Sequence, residues 1–134
     1  MWRRDRIAAL MASRIARNEV VMIGSGATAW HTARHIAATC SAITAITNDH
    51  TLAAALCENS AIQMICLGGR PLPAERYVYR PQTLVELGSY RANWASIGAS
   101  GIDAAGAHDI DDQAAGAHRA MIRQPDQTAL LVDH

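Results

Sequence analysis

The sequence predicts an α/β domain in which one parallel sheet lies between layers of helices, and three observations carry that prediction. Short β-branched apolar runs alternate with segments of helical character along most of the 134 residues. Repeated strand-helix-strand passages imply right-handed crossovers, which make the strands parallel and lay the helices on the sheet. Small or polar clusters stand where four apolar runs end: Gly24-Ser25-Gly26-Ala27-Thr28, Thr47-Asn48, Gly68-Gly69 and Ala99-Ser100-Gly101-Ile102-Asp103. In a parallel sheet these clusters meet on one rim. Open α/β sheets hold ligands there, because turn glycines and helix N-termini leave backbone N–H groups free.

The elements follow in order. Ile7, Leu10, Met11 and Ile15 recur at helical spacing among arginines, so an amphipathic helix is expected over Arg6 to Arg17. Glu19 to Ile23 is a β-branched run that stops at Gly24, and Ala27 to Thr39 has neither glycine nor proline and is expected to be helical. The same alternation gives strand over Ala42 to Thr47, helix over Asp49 to Cys57 and strand over Ile62 to Leu67. Prolines crowd the stretch from Arg70 to Pro81, which suits a loop with one extended piece at Tyr77-Val78-Tyr79. A helix over Thr83 to Tyr90 and a strand over Ala92 to Gly98 come next, then a small, polar and acidic loop from Ala104 to Asp112. Asp111 and Asp112 suit the N-terminus of a helix reaching Gln124, and Thr128 to Val132 reads as the last strand. The fold class is therefore α/β, Rossmann-like, in three layers around a parallel sheet, with residues 1–134 forming a single domain.

Composition narrows the function. Half of the residues are hydrophobic, yet no run approaches the roughly 20 apolar residues that span a bilayer. The charged start, Met1 to Arg6, leads into an interrupted helical pattern rather than a secretory h-region, so a cytoplasmic protein with no membrane partner is expected. Cys40, Cys57 and Cys66 are odd in number and lack C-x-x-C spacing, which suits buried thiols in a reducing compartment. Twelve basic residues balance twelve acidic ones, so the chain has no field with which to hold a phosphate backbone by itself. All twelve basic residues are arginine, which removes Schiff-base chemistry and lysine-dependent phosphate loops. No serine sits in a G-x-S-x-G elbow.

Each cluster admits a structural reading beside a chemical one. Ser25 and Thr28 offer hydroxyls at a helix start, where they either cap the helix or help to hold a phosphate or carboxylate. Thr47, Asn48 and Asp49 read as a cap for the next helix or as ligand contacts. Arg70, after Gly68-Gly69, is a solvent-facing loop arginine or a bidentate phosphate partner. Asp103 either forms an Asx turn or holds a sugar hydroxyl. His31 and His35 share a helix face, but without the glutamate of H-E-x-x-H no metal is expected, nor any cofactor.

Taken together these residues resemble the C-terminal effector domain of DeoR-family bacterial transcription regulators, over nearly the whole chain. The resemblance rests on Ser25-Gly26-Ala27-Thr28 at the family's S-G-T-T loop, Thr47-Asn48, Gly68-Gly69-Arg70, Gly98 to Asp103, Arg119-Ala120-Met121-Ile122 and Asp133-His134. It implies a fold related to ribose-phosphate isomerases and CoA transferases. It also implies a sensor of phosphorylated sugars or related metabolites that tunes DNA binding by an attached helix-turn-helix module. The chain opens at what resembles the sensor's first helix. It stops near the aspartate-histidine pair, so an incomplete C-terminus, an exposed sheet edge and homo-oligomers are expected.

The chain departs from the family at Gly24, where an aspartate is usual, at Ala27, where the first loop threonine stands, and at His118, where a lysine is usual. The site implied by the resemblance comprises Ser25, Gly26, Ala27, Thr28, Thr47, Asn48, Gly68, Gly69, Arg70, Ser100, Gly101, Asp103 and His118. The reading is a non-catalytic sensor. Its alternatives are a sugar-phosphate isomerase with Asp103 as base and His118 as acid, and an oligomerising remnant without ligand.

Overall fold

A computed structural model of the chain describes residues 2–24, 27–67, 81–98, 101–103, 106–108 and 125–131. Its elements are α1 (Trp2–Ser13), β1 (Val20–Ile23), α2 (Ala27–Thr39), β2 (Ile43–Thr47), α3 (His50–Leu56), β3 (Ile62–Cys66), α4 (Pro81–Ser89), β4 (Ala92–Gly98), β5 (Gly101–Asp103), β6 (Gly106–His108) and β7 (Pro125–Leu131). The extended piece expected at Tyr77 to Tyr79 and the helix expected from Asp111 to Gln124 lie outside the described residues.

β1, β2, β3, β4 and β7 pair in parallel as one five-stranded sheet in the order β3-β2-β1-β4-β7. From β1 the chain steps outward through β2 to β3, then crosses back to place β4 on the other side of β1. The winding reverses between β1 and β4, which is the switch point at which open α/β sheets leave a crevice. Register aligns the strand ends there: Ile23 lies opposite Thr47 and Ser96, Thr47 opposite Cys66, and Ser96 opposite Ala129.

Alternation along the buried strands feeds two cores. Val21, Ile23, Ile43, Ala45 and Ile62 pack with Met11 and Ile15, with Ala29, Ala33 and Ile36 of α2, and with Leu52 and Leu56 of α3. Met22, Ile46, Ala95 and Ile97 pack on the opposite face with Leu87 of α4. Strands covered on both faces read as near-continuous apolar runs, as β1 and β2 do. The expected three layers are therefore present.

Boundaries shift where local hydrogen bonds override periodicity. α1 ends at Ser13, short of Arg17, because the Arg14 and Ile15 amides bond back three residues to Met11 and Ala12, and Glu19 Oε1 accepts from the Ala16 amide at 2.7 Å. β2 starts at Ile43 because Ala42 takes a left-handed φ of 56°, a conformation that no strand residue adopts. α4 starts at Pro81, where a missing amide hydrogen costs nothing in a first helical turn. β7 begins at Pro125 rather than Thr128, paired with Ala92, and proline is tolerated at the first residue of a strand. The stretch expected to be loop from Ala104 onward contains β6, which pairs with β5 in an antiparallel hairpin. Only two residues separate those strands, the length of a tight hairpin connection.

The cysteine expectation needs a larger correction. Cys40 is buried, but Cys57 and Cys66 are exposed, at the C-cap of α3 and the end of β3. Burial pushes the Cys40 thiol up, partly offset by the Thr39 hydroxyl beside it. Desolvation likewise raises Cys66, with Asp49 and Cys57 adding to the effect.

Asn59 ties α2 to the turn before β3. Its Nδ2 donates to the carbonyls of Ala37 and Cys40 at 2.9 and 2.8 Å, and its Oδ1 accepts from the Ala61 amide at 2.8 Å. These bonds satisfy carbonyls at the end of α2 that have no intrahelical partner. Asn59→Ala is expected to cost about 1–3 kcal/mol, measured as a lower urea midpoint. An unchanged midpoint would contradict this role.

Candidate functional site

The carboxyl ends of β1, β2 and β4 are locked to one another and to the start of α3. Thr47, fully buried at the end of β2, donates from Oγ1 to the Ile23 carbonyl at 2.8 Å and accepts from the Asp49 amide at 3.1 Å. Its own carbonyl accepts from the Leu67 amide at 2.9 Å. On the other side of β1, the Gly24 amide donates to the Ser96 carbonyl at 2.9 Å. The rim from β3 to β4 is thus fixed by bonds made just where each strand stops.

Asp49 itself takes the capping role. It has the extended backbone of an N-cap, and its Oδ1 accepts from the Thr51 and Leu52 amides at 2.8 and 3.1 Å. Substantially buried, the carboxylate gains from these charge-assisted bonds and from the positive end of α3. Asn48, buried beside it, lies at the same rim.

The start of α2 is different. Thr28, half-buried, follows Ala27 in the first turn, and that turn carries no acidic residue. The Thr28 carbonyl accepts from Thr32 Oγ1 at 2.9 Å, so its helical course is already set one turn further on. A 13-residue helix thus opens beside the switch point without an acid in its first turn, the kind of position at which a helix dipole favours negative charge.

Among the residues expected at the site, Thr28, Thr47 and Asn48 are brought to this rim, and Ala27 is the first residue of α2. Gly101 and Asp103 are the two ends of β5, the strand that follows β4 in sequence, rather than members of a loop. Ser25, Gly26, Gly68, Gly69, Arg70, Ser100 and His118 lie outside the described residues.

His31 and His35 are engaged elsewhere. His35 Nε2 donates to Asp5 Oδ1 at 2.8 Å, and that bond, with lesser help from the charges of His31 and Arg34, holds the Asp5 carboxyl below its usual range. His31 meets Trp30 edge-on, while Arg34 lies over the Trp30 ring at 4.9 Å. Among the described residues no group of three histidine, cysteine or acidic side chains converges, and no helix is long and apolar enough to cross a membrane.

Sequence reasoning missed Ser96, a fully buried hydroxyl on β4 directly beside Ile23. The available signal was a polar residue inside an apolar run, two positions before Gly98. Nothing local distinguished it from an exposed strand serine.

Comparison with known proteins bears on the whole chain. The family described as the DeoR C terminal sensor domain matches residues 2–134. The HTH-type transcriptional repressor GlcR of Bacillus subtilis (strain 168) is 33% identical over 135 residues, an alignment that takes in 98% of this chain and 50% of that protein. The chain therefore spans about half the length of the curated relative it matches. Among solved structures, a D-ribose-5-phosphate isomerase in complex with phospho-erythronic acid superposes with a TM-score of 0.68 at 16% identity, over 97% of this chain and 51% of the other. Ribose 5-phosphate isomerase A of Methanocaldococcus jannaschii gives 0.69 at 13% identity, over 98% and 52%. At these identities the likeness concerns the fold.

Proposed function

The chain belongs to the DeoR C-terminal sensor domain family, and from that premise we propose that it binds a phosphorylated sugar, or a related anionic metabolite, at the rim between β1 and β4. The observation that carries this reading is the opening of α2 at the switch point with no acidic residue in its first turn. In the proposed complex, backbone and hydroxyl donors of Ser25, Gly26, Ala27 and Thr28 cradle the phosphate. Asn48, Gly69, Ser100 and Asp103 surround the sugar, with Thr47 and Gly101 holding strand ends and Gly68, Arg70 and His118 completing the wall.

The GlcR relative is a helix-turn-helix repressor, which supports a regulator whose ligand controls DNA contact through a separate module. Such control requires unequal affinity for two conformations, since a ligand that binds both equally shifts nothing. A cytoplasmic homo-oligomer is the corresponding assembly.

Isomerase neighbours share the fold, which is a poor warrant for catalysis. The chain also has no lysine, and His118 stands where the family resemblance places one, which argues against the acid-base pair that an isomerase needs. Aldose-ketose exchange assays on the purified chain test the distinction. The sensor reading predicts ligand-dependent thermal stabilisation without turnover. Turnover that disappears in Asp103→Asn would overturn it in favour of an isomerase.

A further inference from the structure

We propose that the Ser96 hydroxyl is a ligand-directed donor forming the floor of the anion subsite, an inference that rests on the sensor reading above. Ser96 is 0% exposed, and its Oγ has no hydrogen-bond partner among the described residues. Serine hydroxyls buried in this way are ordinarily paired, because an unmet donor in a dry interior is costly to keep.

Position gives the unmet donor its direction. On β4, Trp94 packs with the core that α2 covers, whereas Ala95 and Ile97 face the opposite core. Side chains alternate along a strand, so Ser96 shares the Trp94 face and lies beneath α2. Its register partner is Ile23, the last residue of β1, and its carbonyl receives the Gly24 amide at 2.9 Å as the chain leaves the sheet toward α2. The hydroxyl is thus held on the α2 side of the crevice between β1 and β4, below a helix N-terminus whose first turn has no acid. Two independent features, the helix end and the unmet hydroxyl, thus lie on the same side of the sheet at the β1–β4 crevice.

Thr47 supplies the contrast. It occupies the equivalent register position on the other flank of Ile23, and its hydroxyl is spent on the Ile23 carbonyl and the Asp49 amide. Of the two buried hydroxyls flanking the end of β1, one locks the rim and the other is held in reserve. An anionic oxygen reaching the crevice satisfies Ser96 while accepting from the first amides of α2.

The test sets stability against affinity in Ser96→Ala, with Thr39→Ala at the far end of α2 as the control. Removing an unmet buried hydroxyl is expected to leave the melting temperature of the unliganded chain unchanged or raised. Removing a ligand donor is expected to weaken binding about tenfold, equivalent to about 1.4 kcal/mol. Calorimetry with a pentose 5-phosphate, a hexose 6-phosphate and inorganic phosphate reads the second effect. A variant that melts lower and binds as tightly as the parent would assign Ser96 a structural role and overturn the proposal. If the parent chain binds none of the three probes, the sensor reading falls and the role of Ser96 falls with it. If the parent binds and Ser96→Ala binds equally, the role of Ser96 alone is lost.

Discussion

Thr28→Asp is expected to fold at least as well as the parent and to lose sugar-phosphate binding by more than about a hundredfold. Both effects have one cause. A carboxylate in the first turn of α2 complements the helix dipole, a gain of about 0.3–1 kcal/mol. The same charge then occupies the potential that the ligand phosphate would use. At about 5 Å and an effective dielectric near 20, each like-charge pair costs about 3 kcal/mol. Thr28 is well placed for this because it is half-buried and its carbonyl is already engaged by Thr32. Urea unfolding and calorimetry on the same sample check the two signs. A variant that binds normally would remove the anion site from the start of α2, and one that fails to fold would indicate a different packing of that turn.

The largest stability effect is expected at Ile36, which is fully buried in the core between α2 and the sheet. The other α2 positions that reach full burial are Ala29, Thr32 and Ala33, so Ile36 is the largest fully buried side chain by which α2 is anchored, with Trp30 partly buried beside the same core. Ile36→Ala should cost about 2–5 kcal/mol, the transfer loss plus the cavity left behind. Because α2 carries the proposed phosphate subsite, ligand should restore part of the lost stability by mass action. Thermal unfolding with and without a hexose 6-phosphate measures both quantities. A loss below about 1 kcal/mol would mean that α2 is held mainly by other contacts.

Much of this architecture is legible in the sequence, and what is legible is local. The bounds of Ala27–Thr39 and Ala92–Gly98 are readable because the first lacks any helix breaker and the second is an apolar run closed by glycine. Thr47, Asn48 and Thr28 could be placed at a rim because turn-forming residues follow apolar runs. The end of α1 was not legible, since it depends on the reach of Glu19 back to Ala16 and on the left-handed turn at Asn18. The β5–β6 hairpin was hidden in a stretch of alanine and glycine with no alternation to mark it. Ser96 was invisible for a further reason: its burial arises only when β4 pairs with β1, more than seventy residues earlier in the chain. The role of Asp49 shows the converse, a side chain whose capping chemistry is written in its nearest neighbours.

The central claim is that this rim recognises a sugar and a phosphate as one ligand. It is tested most directly by calorimetric titration of the chain with sugar phosphates, the matching unphosphorylated sugars and inorganic phosphate. The account predicts saturable one-site binding of a sugar phosphate, weaker binding of phosphate alone and none of the free sugar. A folded chain that binds no sugar phosphate, or binds free sugar equally well, would contradict it.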